Sequence, residues 1–184
     1  MKITLEYLDK IGACLAAESF YKAQKTESAT KLIKAALDTG REDYIAYILC
    51  EVIDSDSLLS NIQRYQLLLE TCLRFLPDVV TDKNKHAAFK KHYMPALERR
   101  AAGKELLKKQ SQYLGKASCA VPYNAVAIAI LNGPLETDVG YLSEAIECGW
   151  MCSHRTRLMY NKKAILYTCR RVIAMLKSNG ITKL

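Results

Sequence analysis

Apolar residues return every three to four positions along almost all of this 184-residue chain, with few residues that interrupt them. That spacing lays them along one side of a helix, whereas a half-buried strand would alternate in twos. Eight Gly and four Pro leave little to break the run, so long regular elements are expected. The pattern predicts an all-α fold, an array or bundle of about seven to nine helices packed as antiparallel hairpins. No repeat of fixed period accompanies it, so no named solenoid class is indicated.

Caps and breakers set the expected borders. Thr4 caps a short first helix with Leu5 and Leu8 facing inward, and from Ala13 to Ala23 the positions Leu15, Ala16, Ser19, Phe20 and Ala23 share one face. Ser28 caps a helix with the stripe Leu32, Ile33, Ala36 and Leu37, which Gly40 ends. Asp43 opens an apolar segment that continues to Ile53. Its β-branched residues fit a strand, but its length and its helical neighbours favour a helix. After the turn cluster Asp54-Ser55-Asp56-Ser57, a helix runs to about Leu76, where Pro77 stops it. The stretch from Thr81 or Asp82 to about Leu114 reads as helix, kinked or divided by Pro95 and closed by Gly115. Further helices are expected over Tyr123 to Leu131, from Thr137 to Trp150, and from about Arg155 to Lys177.

Charge is distributed unevenly over this scaffold. Residues 1–82 hold nine Lys/Arg against thirteen Asp/Glu, while residues 83–116 hold ten against two, Glu98 and Glu105. Residues 117–184 hold eight against four. An acidic N-terminal helical part, 1–82, therefore precedes a basic C-terminal one, 83–184, in what reads as one continuous globular unit. No apolar run is long enough to span a membrane, and Met1 to Lys10 lack the apolar stretch of a signal peptide. A cytoplasmic location is expected. Seven scattered cysteines fit the same reading, as reduced thiols buried like small hydrophobes.

The chemistry-bearing patterns are weak. Cys148 and Cys152 are four apart, the spacing that puts two thiolates on one helix face, with His154 two residues on. No second Cys/His cluster completes a set of ligands, so these read as core cysteines beside an exposed histidine, and no metal or other cofactor is expected. A cysteine nucleophile paired with His86, His92 or His154 has no local signature, and no glycine-rich phosphate loop occurs. Glu42 and Asp43 are accounted for by the helix dipole. An enzyme is not expected.

The basic track is the strongest signal outside the core. Lys83, Lys85, Lys90, Lys91, Arg99, Arg100, Lys104, Lys108, Lys109 and Lys116 interleave with His86, Phe89, His92, Tyr93 and Tyr113. On a continuous helix, Arg100, Lys104 and Lys108 form one stripe able to neutralise phosphates or to face carboxylates. Three readings follow: a nucleic-acid surface, a surface for an acidic protein or the chain's own acidic part, or a solvated face. Tyr93 belongs to the candidate surface, and Arg155 and Arg157 extend it, with Arg170 and Arg171 as further candidates. Eleven Tyr against three Phe is a second anomaly. Tyr44, Tyr47, Tyr65 and Tyr141 read as core or boundary residues whose hydroxyls reach the surface.

One resemblance runs through the N-terminal third. Leu5-x2-Leu8, Ala13-Cys14, Glu18-Ser19-Phe20, Lys31-x-Ile33-Lys34-Ala35-Ala36-Leu37 and Asp43-Tyr44-Ile45-Ala46-Tyr47-Ile48-Leu49 follow one another in an order that resembles the alanine-rich helical immunity proteins of bacteria and phages. It covers roughly residues 5–76. The chain departs from that family at Ser19, where a Trp is usual, at Tyr44 and Tyr47, which replace tryptophan, and in its shorter alanine-rich run at Ala125 to Ala129. The resemblance implies a non-enzymatic interaction protein that binds and inhibits a macromolecular effector, of the immunity or phage counter-defence type, such as an anti-CRISPR-like inhibitor. The expected partner is a protein with an acidic surface or a nucleoprotein complex. Direct binding of DNA or RNA phosphates is the alternative.

Overall fold

The computed structural model describes residues 1–55, 57–79, 83–117, 151–154, 157–160 and 162–184. The fold is all-α, with one short antiparallel hairpin added to the helices. Helix α1, Leu5–Lys10, starts at Thr4, whose Oγ1 accepts the Tyr7 N–H at 3.2 Å, as the sequence predicts. Helix α2 spans Leu15–Ala23, but its inward face is not the expected one. Ala17 and Tyr21 are buried, and Leu15 is 81% exposed. These two residues are four apart, and the large Tyr21 ring sets the orientation of a helix whose other apolar residues are mostly small.

Helix α3, Ala29–Asp38, buries Leu32, Ile33, Ala36 and Leu37 as expected and is followed by Gly40 at φ +70°. The apolar segment after Arg41 is helical, α4, Glu42–Asp54, with Tyr44, Ile45, Ile48, Leu49, Val52 and Ile53 inside. Helix α5, Asn61–Val79, begins with a reciprocal cap that the Asp54–Ser57 cluster does not supply. The Gln63 N–H donates to Ser60 Oγ at 3.3 Å, and the Ser60 N–H donates to Gln63 Oε1 at 2.9 Å. The helix passes Pro77 and ends two residues later, because a proline near a C-terminus removes only one of the last backbone bonds.

The basic track is not one helix. Helix α6, Lys83–Ala88, leads into a π-helical turn, Phe89–Tyr93, and then into α7, Met94–Ala101, which has Pro95 in its first turn. Proline has no N–H to offer the preceding turn, and the wider π turn stands where that bond is missing. Gly103, at φ +69°, then reverses the path, and α8, Lys108–Ala117, returns against the π turn, with Gly115 inside it.

Residues 151–154 and 157–160 form strands β1 and β2, paired antiparallel with Met151 opposite Tyr160 and His154 opposite Arg157. This hairpin takes the place of the first turns of the helix expected from Arg155. The last helix, α9, spans Lys162–Ser178 and stops before Gly180 at φ +79°. The helices expected over Tyr123 to Leu131 and from Thr137 to Trp150 lie outside the described residues. Helix α9 packs on α3, α4 and α5. Lys162 anchors its start, with Nζ 2.7 Å from the Leu37 carbonyl and 2.9 Å from Glu42 Oε1. Glu70 of α5 accepts two bonds from Arg171, both 2.7 Å, and one from the Tyr167 hydroxyl at 3.0 Å. Buried residues of the acidic part, the 83–117 region and α9 join in one apolar core. The chain ends close over it. The Lys2 and Thr4 N–H groups donate to Thr182 and Leu184 carbonyls, and the Leu184 N–H donates back to Lys2.

Candidate functional site

The π turn sorts the residues of the basic track by burial. Phe89 and Tyr93 turn into the core and stack on each other with centroids 5.3 Å apart, while Lys90 and Lys91 stay exposed. His92, between them, stacks on Tyr113 of α8 at 3.7 Å with the rings 16° apart. That stack holds α8 against the π turn, and Tyr113 also meets the edge of Tyr93. Lys109 stands one turn before Tyr113 on the same helix face, next to Lys108. The stack thus joins two elements that carry exposed lysines, Lys90 and Lys91 on the π turn and Lys108 and Lys109 on α8.

Several predicted site residues stand elsewhere. Tyr93 is 3% exposed and is a core residue, so it is not part of a contact surface. Burial pushes its phenol above the usual tyrosine range, with Tyr113 adding to the effect. Arg100, Lys104 and Lys108 do not form a single stripe, because α7 ends at Ala101 and Lys104 lies in the connection that follows Gly103. Arg99 is half-buried and donates its Nε–H to the Glu105 carbonyl at 2.8 Å, which holds that connection closed. Arg100 is half-buried, and its charge acts on buried Tyr65. Lys83 is exposed at the start of α6, Lys85 belongs to α6, Lys116 to α8 and Arg157 to β2, and Arg155 lies outside the described residues. Arg171 is taken up by Glu70, whose hydrogen bonds raise its pKa, so it does not extend the free basic surface. Arg170 is exposed.

Ion pairs in the rest of the chain join Lys2 with Glu27, Lys22 with Glu18, Lys162 with Glu42, and Arg171 with Glu70, while Lys10, Lys25, Lys31, Lys34, Lys177 and Lys183 are exposed without one among the described residues. Among the described residues, Lys90, Lys91, Lys104, Lys108 and Lys109 have no such partner. Docking of this region onto the chain's own acidic part is thus not what the described residues show. Two apolar residues border it, and the sequence reading did not anticipate either as surface. Leu107 is 53% exposed, and Ile62 at the start of α5 is 47% exposed. The signal for Ile62 is Gly103, whose missing side chain leaves room for it: a Cβ there would lie 3.2 Å from Ile62 Cδ1.

The remaining chemical candidates find little support. Cys152 and His154 lie in strand β1 and Cys148 lies outside the described residues, so the one-face helical geometry for a metal does not apply to Cys152. Among the described residues no group of three or more His, Cys, Asp or Glu could hold a metal ion. Cys169 is fully buried, and burial pushes its thiol up to about 12, the reverse of what a nucleophile needs. Cys14 is exposed, contrary to the buried-thiol reading. A cleft of about 550 Å³ runs between α1, the end of α4 and Leu184, and in it Glu6, Glu51 and Asp54 face Lys10 and Lys183. No helix among the described residues is long and apolar enough to cross a membrane. No family model, curated protein or solved structure matches the chain.

Proposed function

We propose that the chain is a non-enzymatic binding protein that engages the phosphate backbone of nucleic acid through the lysines of the π turn and α8. The observation that carries this reading is the crowding of five exposed lysines, 90, 91, 104, 108 and 109, onto the π turn, the connection after α7 and the α8 packed against that turn. The kind of cation also matters. Desolvated protein interfaces favour arginine and are depleted in lysine, whereas a hydrated lysine serves phosphate as a point charge. Here the arginines of the region, Arg99 and Arg100, are half-buried, and the free charges are lysines. Occupying nucleic acid held by an effector would block that effector. This joins the reading to the immunity or counter-defence role implied by the residue order of 5–76.

A second reading is a protein effector with an acidic patch. It is favoured by Leu107 and Ile62, exposed apolar residues at the edge of the lysines. Titration of a labelled mixed-sequence duplex by fluorescence anisotropy distinguishes the two. If the lysines meet phosphates, affinity falls steeply with salt, and replacing Lys90, Lys91, Lys108 and Lys109 by Glu flattens the log–log slope by about four. Absence of duplex and single-strand binding at about 50 mM salt defeats the nucleic-acid reading. An acidic protein partner would then be sought, with its binding resistant to nuclease and lost on Leu107→Asp.

A further inference from the structure

The lysines of the π turn and α8 are joined through a residue of another kind. His92 lies between exposed Lys91 and buried Tyr93, is itself half-buried, and stacks on Tyr113 with centroids 3.7 Å apart. Its imidazole makes no hydrogen bond and no ion pair among the described residues, yet neither ring nitrogen is buried. Stacking uses the face of the ring, whereas the nitrogens bond in its plane, so the contact with Tyr113 leaves both available to a ligand. The π turn packs on α6, α7 and α8. Tyr113 of α8 is the titratable group shown to face the ring, with Lys108 and Lys109 exposed on the same helix. Helix α6 brings Lys83, Lys85 and His86. On α7, Arg99 is engaged by the Glu105 carbonyl, the charge of Arg100 acts on Tyr65, and Glu98 is exposed. Neither Glu98 nor Glu105 pairs with His92 among the described residues.

An open imidazole among lysines can do what the lysines cannot. Imidazole is the side chain whose charge ordinarily changes between about pH 5 and 8, and once charged it donates from both nitrogens. A phosphate brought against such a ring favours the charged form. A tyrosine face attracts a cation, so the stack on Tyr113 is kept when the charge arrives. We propose that His92, as the imidazolium, donates a hydrogen bond to a backbone phosphate beside those met by the lysines, so that the chain takes up a proton from solvent when it binds nucleic acid. The inference rests on the phosphate reading of the lysine surface and adds a proton dependence to it. Protonation of His92 and binding of phosphate then strengthen each other by the same factor. Lowering the pH adds one phosphate contact while the lysines stay as they are.

Anisotropy titration of the full chain with a labelled mixed-sequence duplex, over a range of salt at about pH 5.5 and about pH 8.5, tests it. The wild-type chain should bind several-fold more tightly at the lower pH, and its log–log salt slope should steepen by about one. His92→Phe keeps a ring to lie on Tyr113 but has no proton to gain, and His92→Gln keeps a polar group without the charge. Each variant should show one slope at both pH values. The other histidines remain in both variants, so a pH dependence that belongs to them would persist there. A second measurement needs no variant. Calorimetric titration with the same duplex in two buffers of different ionisation enthalpy counts the protons taken up, and an uptake of up to about one per bound chain is expected. The proposal is overturned if the duplex binds with the same slope at both pH values, if the steepening survives in both variants, or if no proton is taken up anywhere in that pH range. Absence of binding at both pH values at about 50 mM salt instead defeats the phosphate reading, and this inference with it.

Discussion

Glu70 concentrates more of the fold's directed bonding than any other single carboxylate described. It takes both arms of the Arg171 fork and the Tyr167 hydroxyl, while the Arg74 guanidinium covers the Tyr167 ring at 4.8 Å. Glu70→Gln removes the charge and one half of the fork, and should cost about 1 kcal/mol in urea unfolding, since the Arg171 side chain is 39% exposed and water screens the pair. The buried phenols give a second handle. Tyr7 is pushed up to about 12 by burial, then by Glu51 and Tyr47. Below pH 10 both folded and unfolded chains keep that proton. Between 10 and 12 the unfolded chain releases it first, so stability falls as pH rises. Tyr21, Tyr47 and Tyr65 shift in the same direction. Tyr7→Phe should therefore remove about 1 kcal/mol of the alkaline loss, read as a shallower fall in the urea midpoint from pH 9.5 to 11.5. At this scale the sequence was only partly legible. Leu32, Ile33, Ala36 and Leu37 read correctly as core, because four apolar residues at helical spacing leave one orientation. Tyr93 and Leu15 did not. An amphipathic tyrosine or a lone leucine is equally consistent with core and surface until its neighbours are known.

Elements were legible where a stripe met a clear boundary, as in α3, whose four stripe residues are buried ahead of Gly40, whereas α1 keeps its Thr4 cap but leaves Leu5, expected inside, 44% exposed. They were misread where a breaker could act in more than one way. Pro95 was seen to divide the basic segment, but whether by a kink, a gap or a wider turn depends on backbone room that sequence does not state. Pro77 was taken as a stop and stands inside the last turn of α5. The runs at 151–154 and 157–160 are too short for their period to distinguish a strand from the first turn of a helix. Gly103 is the breaker whose role the structure defines best, because it combines positive φ with a tight approach to Ile62. Gly103→Ala should cost about 1–2 kcal/mol by strain at φ +69° and by displacing Ile62, measured as a lowered thermal midpoint. It should weaken nucleic-acid binding if the angle between α7 and α8 is what positions Lys104 and Lys108.

For the molecule as a whole, the split into acidic and basic parts was visible in the sequence, but its structural meaning was not. The acidic part supplies the frame onto which α9 is fastened, through Glu42 with Lys162 and Glu70 with Arg171. Lys90, Lys91, Lys104, Lys108 and Lys109 of the basic part face outward, and both parts share one core. Nothing in the residue order announced that the two ends of the chain would meet. Thr4 does two things there: it caps α1 and donates its hydroxyl to the Leu184 carbonyl at 2.8 Å. Thr4→Val should cost about 1–2 kcal/mol and speed hydrogen exchange at the Lys2 and Thr4 amides, which donate to Thr182 and Leu184. That meeting of ends imposes an order on synthesis. Residues 1–4 bond both Glu27 and Ala29, close behind them in the chain, and residues 182–184 far beyond, so the second set of bonds can form only after that later stretch is translated. The entry to α1 is thus fastened in two stages, early against residues 27–29 and late against residues 182–184.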